Sequence, residues 1–443
     1  MSPKINSLKT NAFFKVSVIV FIGLLLLIPK SMIQSLIHER EATRQNAIEE
    51  VGFKWGGEQT IIGPFLTIPY ITYIKEVDQN KKSEKLIKVI KHIYILPDKL
   101  AINGEINPEK RYRGIYEIVV YNSKLNLQGS FDKLNLKELG IPLNNILFNR
   151  ATLSLGISDL RGIENQVKLK WNDSIFSFNP GTVTHEVISS GINTQIPLKK
   201  NDSTFYKFSI DLDLKGSQRL FFVPVGKMTD IHLHSNWNNP SFNGAFLPDK
   251  REVSNNGFKA HWNILHLNRN FPQQWTNSTY RLENWAFGVN LLLPVDHYQK
   301  SLRAIKYAIL FIALTFMVFF FVEVTRKVFI HPIQYILVGI ALIIFYSLLL
   351  AISEHTNFNF AFAISAIATL LLITFYVKAI LKSNQLAILI GGILAILYVF
   401  IFTIIQLQDY ALLIGSIGLF IILALVMYYS RKIDWYNLYG END

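Results

Sequence analysis

The sequence predicts a membrane protein of mixed class, with six transmembrane helices, one N-terminal and five C-terminal, and a large β-sandwich-like domain inserted between the first and second. Three observations predict it. Half of the 443 residues are hydrophobic and only 17% are charged, too oily for a soluble domain and too charged for a wholly embedded chain. Charge is unevenly spread, with 34 of the 44 Lys and Arg and 26 of the 32 Asp and Glu lying between Lys30 and Arg303. The flanks carry apolar runs of about 20 residues, the length a helix needs to cross a hydrocarbon core, whereas the middle alternates with period two.

Residues 1–11, with Lys4 and Lys9, form a basic N-terminus, and "AFFKVSVIVFIGLLLLI" opens the first span over 12–29. It resembles a secretory signal, but "PKSMIQSLIHER" offers no A-x-A-like cleavage site, so a retained signal anchor is expected. The helix continues outward as a stalk through Ile33, Leu36 and Ile37 before the turn-rich "GGEQTIIGPFLTIPY" starts the sheet region. The inserted domain covers 30–303. In "YKFSIDLDLKG", Tyr206, Phe208, Ile210, Leu212 and Leu214 face one way and the polar residues the other, and "ATLSLGIS" repeats the pattern. Short alternating strands without helices between them indicate antiparallel sheets packed as a sandwich. One large sandwich and two smaller ones divided near residue 165 both fit.

Five late spans are expected over 304–322, 333–352, 358–377, 386–405 and 410–429, within a bundle over 304–429 and a tail over 430–443. Ala361, Ser365 and Thr369, and Ala387, Gly391 and Ala395, recur every four residues and predict narrow faces where helices approach closely. Short loops with Lys or Arg stay cytoplasmic. Arg326 and Lys327, Lys378 and Lys382, and Arg431 and Lys432 alternate with "SEHTN" and "QLQD", which carry no Lys or Arg. Both termini are therefore expected in the cytoplasm and the inserted domain outside it.

Composition excludes several function classes. With no cysteine, thiol chemistry and Cys-based metal sites are ruled out. The net charge of +12 comes from scattered Lys and Arg interleaved with acids, which fits anionic lipid headgroups better than nucleic acid. No H-E-x-x-H, G-x-S-x-G, Walker A or G-x-G-x-x-G occurs. No catalytic residue, metal or cofactor is expected. His232 and His234 stand two apart on a strand, a spacing that could support a metal, although two solvent-facing residues explain it more simply. No Asp, Glu, Lys, Arg or His lies at the middle of a late span, which disfavours an ion-coupled transporter. Polar residues gather at the span ends instead. Glu354, His355 and Asp409 form a candidate outer-face cluster, and Glu323 and His331 are candidates on the cytoplasmic side.

"VDHYQKSLRAIKYAILFIALTF", "HPIQYILVGIALIIFYSLLLAISEH", "DYALLIGSIGLF" and "WGGEQTIIGPFLTIPY" closely resemble motifs of the CreD-type inner-membrane proteins, also called cell envelope integrity proteins. The resemblance runs from about Arg40 to Tyr436. Its dense positions supply a candidate binding or coupling motif of Trp55, Gln59, Gly63, Pro64, Tyr70, Asp296, Tyr298, Lys300 and Arg303. It implies a bacterial cytoplasmic-membrane protein of an envelope-stress response, with its large domain in the periplasm and no established catalytic residues. The expected partners are the lipid bilayer and a periplasmic protein, lipid or cell-wall component, with no nucleic acid and no oligomeric state specified. Two other readings stay open: a membrane-embedded enzyme using Glu354, His355 and Asp409 as acid-base groups, and a transporter or lipid-handling protein.

Overall fold

The computed structural model describes residues 12–78, 83–132, 134, 136–200, 205–276, 280–293, 297–326, 328–407 and 410–431. Its helices are α1 (Ala12–Leu25), α2 (Leu27–Trp55), α3 (His297–Lys306), α4 (Ala308–Arg326), α5 (Pro332–Ser353), α6 (Phe358–Leu381), α7 (Asn384–Gln406) and α8 (Ala411–Ser430). Counting α1 and α2 as one rod from Phe13 to Trp55, six are long and apolar enough to cross a membrane. The short α3 carries Lys300, Arg303 and Lys306, which is why the second span starts at Ala308 and not at the expected residue 304. Contacts group Met1–Arg44 with Val295–Asp443 and collect Gln45–Pro294 in a second unit.

In the helical unit, the small-residue faces lie where helices meet. Ala361, Ser365 and Thr369 of α6 and Ala387 and Gly391 of α7 are buried, and a Cβ on Gly391 would come 2.7 Å from the Thr374 hydroxyl. Gly339 of α5 makes room for Leu26, which seats the first rod. Helix α8 has no buried residue and approaches α7 through Gly418 against the Phe400 ring.

The other unit holds a nine-stranded and an eight-stranded sheet. One hydrophobic cluster, running in sequence from Ile61 to Leu291, fills its core. The expected alternation is present: Tyr206, Phe208, Ile210, Leu212 and Leu214 are all buried. Two expectations are corrected. The sheets are mixed, because Gln59–Ile61 runs parallel to Leu220–Phe222 and Lys99–Ile106 parallel to Met228–Ser235. Parallel pairing requires a long connection, and the second pair has residues 114–227 between its strands. The segment read as turn-rich is instead part of a 20-residue strand, Gln59–Asp78. Its Gly63-Pro64 pair shifts the register between Ile62 and Phe65 without ending the strand. The strand Thr152–Ile157 also departs from simple alternation, since Ser154 is buried along with Leu153 and Leu155. Ile188 covers the second face, packing where a Cβ on Gly156 would lie.

Candidate functional site

Two polar clusters lie at opposite ends of α5, a helix whose 22 residues span roughly 33 Å at 1.5 Å per residue. At its N-terminal end, Glu323 comes from the last turn of α4 and is only 2% exposed. One carboxylate oxygen pairs with the Lys15 ammonium of α1, and the Ile330 amide donates to it at 3.2 Å. The Tyr335 hydroxyl donates to the other oxygen at 2.9 Å. Lys15 also donates to the Ile330 carbonyl at 2.9 Å and stands 4.1 Å from the centre of the Phe329 ring. A buried carboxylate is tolerable only when its charge is matched and its lone pairs are engaged, and this one meets both conditions. His331 caps the same helix end: its Nδ1 accepts from the Ile333 amide at 3.3 Å while its own backbone N–H donates to Gln334, ahead of Pro332. Its imidazole therefore serves the helix start.

At the other end, Glu354 is the C-cap of α5 and is half-buried. The Tyr298 hydroxyl of α3 donates to it at 3.0 Å, and Arg40 Nε of α2 stands 3.8 Å from the same oxygen. Next to this pair, Lys300 donates to Gln406 at 3.3 Å and lies 5.5 Å from the Phe358 ring centre, while Gln406 reaches Asn359. Glu354 and the Tyr298–Lys300 stretch, separate candidates in the sequence, thus meet in one place. His355 is exposed beside it and Arg303 is half-buried on α3. Asp296 and Asp409 lie outside the described residues.

The remaining candidates are built into the β-rich unit. Gln59 is fully buried, and its amide donates to the carbonyls of Gly56 (2.6 Å), Asp159 (2.9 Å) and Lys215 (3.1 Å) while accepting from the Asp159 amide. Trp55 donates to the Tyr121 carbonyl and lies under Arg111 and Lys215. Gly63 has φ of +119°, and a Cβ there would press on the Ser154 carbonyl at 3.1 Å. Pro64 follows it in the cis linkage, and Tyr70 is buried opposite Lys91. These contacts seat the first long strand and the end of α2.

On the eight-stranded sheet, His232 does not join His234. Its Nε2 lies 2.8 Å from one oxygen of Asp230, and His261 Nε2, from the neighbouring antiparallel strand, lies 3.3 Å from the other. Beside them is a groove of about 630 Å³ lined by Lys99, Lys170, Lys207, Phe205, Met228 and Asp230, among others. Three lysines against one carboxylate make it basic.

The model of the family described as "Inner membrane protein CreD" matches residues 11–436. The chain belongs to the CreD family. It is 36% identical over 433 residues to the inner membrane protein CreD of Escherichia coli strain K12, covering 97% of this chain and 95% of that one. Among solved structures, an M1 zinc metallopeptidase from Deinococcus radiodurans matches over 38% of each chain at 5% identity, with a TM-score of 0.18 that supports no argument. A CreD-family inner-membrane protein embedded in the bilayer by six apolar helices accounts for the sequence and the fold together.

Three residues of these clusters were not legible from the CreD-family sequence. Lys15 reads as one charge in a signal-like span, with its partner 308 positions away. Arg40 sits in a charged stalk without periodicity, and His261 becomes a neighbour of His232 only through cross-strand register. The one available signal was that of Lys15, since an ionisable residue inside a span calls for an opposite charge in another helix.

Proposed function

We propose that this CreD-family protein supports or senses cell-envelope integrity without catalysis, holding its β-rich unit in the periplasm and both termini in the cytoplasm. The observation that carries the reading is the position of Glu354. The chain passes from the helical unit to the β-rich unit at Arg44/Gln45 and returns at Pro294/Val295. Arg40 precedes the first crossing by four residues, Tyr298 follows the second by three, and both meet Glu354. A pull on either connection reaches the same carboxylate at the end of α5, so a load on the β-rich unit is passed to the bundle.

The orientation rests on the basic loops. Arg326, Lys378, Lys382 and Arg431 follow alternate spans, and the turn holding Glu354 and His355 has no Lys or Arg. The basic groove along Lys99, Lys170 and Lys207 suits an anionic envelope component, such as a lipid headgroup or wall polymer.

Reporter fusions test the orientation. Alkaline phosphatase joined after residue 150 should be active, and a cytoplasmic reporter joined after Arg431 should be active as well; the reverse pattern overturns it. Glu354→Gln and Tyr298→Phe should then alter envelope sensitivity to detergents or wall-active drugs at unchanged protein level. Wild-type sensitivity in both variants would reject the coupling role.

A further inference from the structure

We propose that Asp230, His232 and His261 form a binding site for a divalent transition-metal cation, Zn(II) or Cu(II), on the exposed face of the eight-stranded sheet. The sequence puts them there by alternation. In Met228–Ser235, Thr229, Ile231, Leu233 and Ser235 are buried, which turns Asp230, His232 and His234 outward. In Gly257–Leu265, burial of Ala260 and Trp262 turns His261 to the same side. The register pairs His232 with His261.

Their side chains converge. The two imidazoles stack with centroids 4.2 Å apart and planes 8° from parallel, and each Nε2 lies close to a different oxygen of the Asp230 carboxylate, His261 within hydrogen-bonding geometry. All three donor atoms lie within 4.8 Å of one another. Tetrahedral coordination with bonds of about 2.0–2.1 Å needs donor spacings of about 3.3–3.5 Å. The two Nε2-to-carboxylate distances, 2.8 and 3.3 Å, already fall close to that. Turning the rings out of their stacked, near-parallel planes brings both in-plane Nε2 lone pairs onto one point beside the carboxylate, and one cation then replaces the His261–Asp230 hydrogen bond and the His232–Asp230 contact.

The donor types select the cation. Two imidazole nitrogens and one carboxylate oxygen suit Zn(II) and Cu(II), whereas Mg(II) and Ca(II) prefer all-oxygen shells. His232 is 57% and His261 25% exposed at the side chain, so water can fill the remaining positions, as in three-ligand zinc sites. Lys250, opposite His261 in the register, adds a positive charge nearby and sets a moderate affinity. The site needs only the fold of the β-rich unit, so it stands whichever side of the membrane that unit occupies.

The test is metal titration of the full-length protein in detergent, free of any affinity tag and stripped with a chelator that is then removed. Zn(II), followed by calorimetry or by competition with a chromophoric chelator, should bind at one equivalent with micromolar affinity, and millimolar Mg(II) or Ca(II) should not compete. His232→Ala and His261→Ala should each weaken binding at least tenfold, and His234→Ala should leave it unchanged. Cu(II) at the site should show an electron paramagnetic resonance signal coupled to two imidazole nitrogens, reduced to one in either single variant. All three substitutions are on the sheet's outer face, and circular dichroism checks that each variant is folded. Absence of saturable Zn(II) binding below 100 μM to the folded wild type, or undiminished binding by a folded His232→Ala/His261→Ala double variant, overturns the proposal.

Discussion

The two ends of α5 handle charge in opposite ways. At Glu323 the carboxylate is buried, ion-paired with Lys15 and hydrogen-bonded by Ile330 and Tyr335. At Glu354 the side chain is 10% exposed, with one hydroxyl donor and an Arg40 that is 47% exposed and 3.8 Å away. The first arrangement has one geometry that satisfies every group, and departures from it leave a charge in an apolar surrounding. The second can lengthen or rearrange, because its arginine is half-exposed and its charge is open to solvent screening. A bundle built this way is locked at one end of α5 and adjustable at the other.

Breaking the locked end should give the largest effect. Glu323→Leu leaves Lys15 buried without its partner, and unfolding of the full-length protein in detergent should lose about 3–5 kcal/mol. The double variant Lys15→Met/Glu323→Leu should recover most of that loss, because it removes the stranded charge together with its partner. If the double variant is as unstable as the single one, the pair is not what locks this end. Tyr335→Phe should cost about 1 kcal/mol, one hydrogen bond to a carboxylate that keeps its other partners.

Changes at the adjustable end should be smaller in stability and larger in phenotype. Glu354→Gln keeps an acceptor for Tyr298 and removes only a 3.8 Å interaction with an arginine that is 47% exposed, so the same unfolding assay should shift by less than about 1 kcal/mol. Arg40→Gln should shift it least, and raising salt from about 0.1 to 1 M, which cuts the screening length from roughly 10 to 3 Å, should erase the difference from wild type. The buried Lys15–Glu323 pair should be insensitive to the same salt change. A salt-sensitive locked end or a salt-insensitive Arg40 variant would remove the contrast.

Much of the architecture was legible because it follows from one-dimensional patterns. Span length marked the six helices, and alternation turned Phe208, Ile210 and Leu212 inward. Spacing by four exposed the narrow faces at Ala361 and Gly391. What the sequence concealed depends on distance or register. Gly63 and Pro64 looked like a turn because either can end a strand, yet here a bulge absorbs them within Gln59–Asp78. Gln59 entered as one position of a candidate binding or coupling motif, and nothing in the sequence signals that its amide is engaged by backbone groups of Gly56, Asp159 and Lys215. Glu323 lies at a span end, where headgroup-level solvation is the usual expectation, and it is dry only because Lys15, Ile330 and Tyr335 come from elsewhere in the chain.

The 308 positions between Lys15 and Glu323 also fix an order of events. A ribosome adding about 5–20 residues per second places the lysine in the chain roughly 15–60 seconds before the glutamate exists. During that interval the lysine can keep its ammonium at the lipid-water boundary on its long stem, and the rod has no mate. The ion pair can close only once the second rod has been made, and it joins the oldest part of the protein to a much younger one.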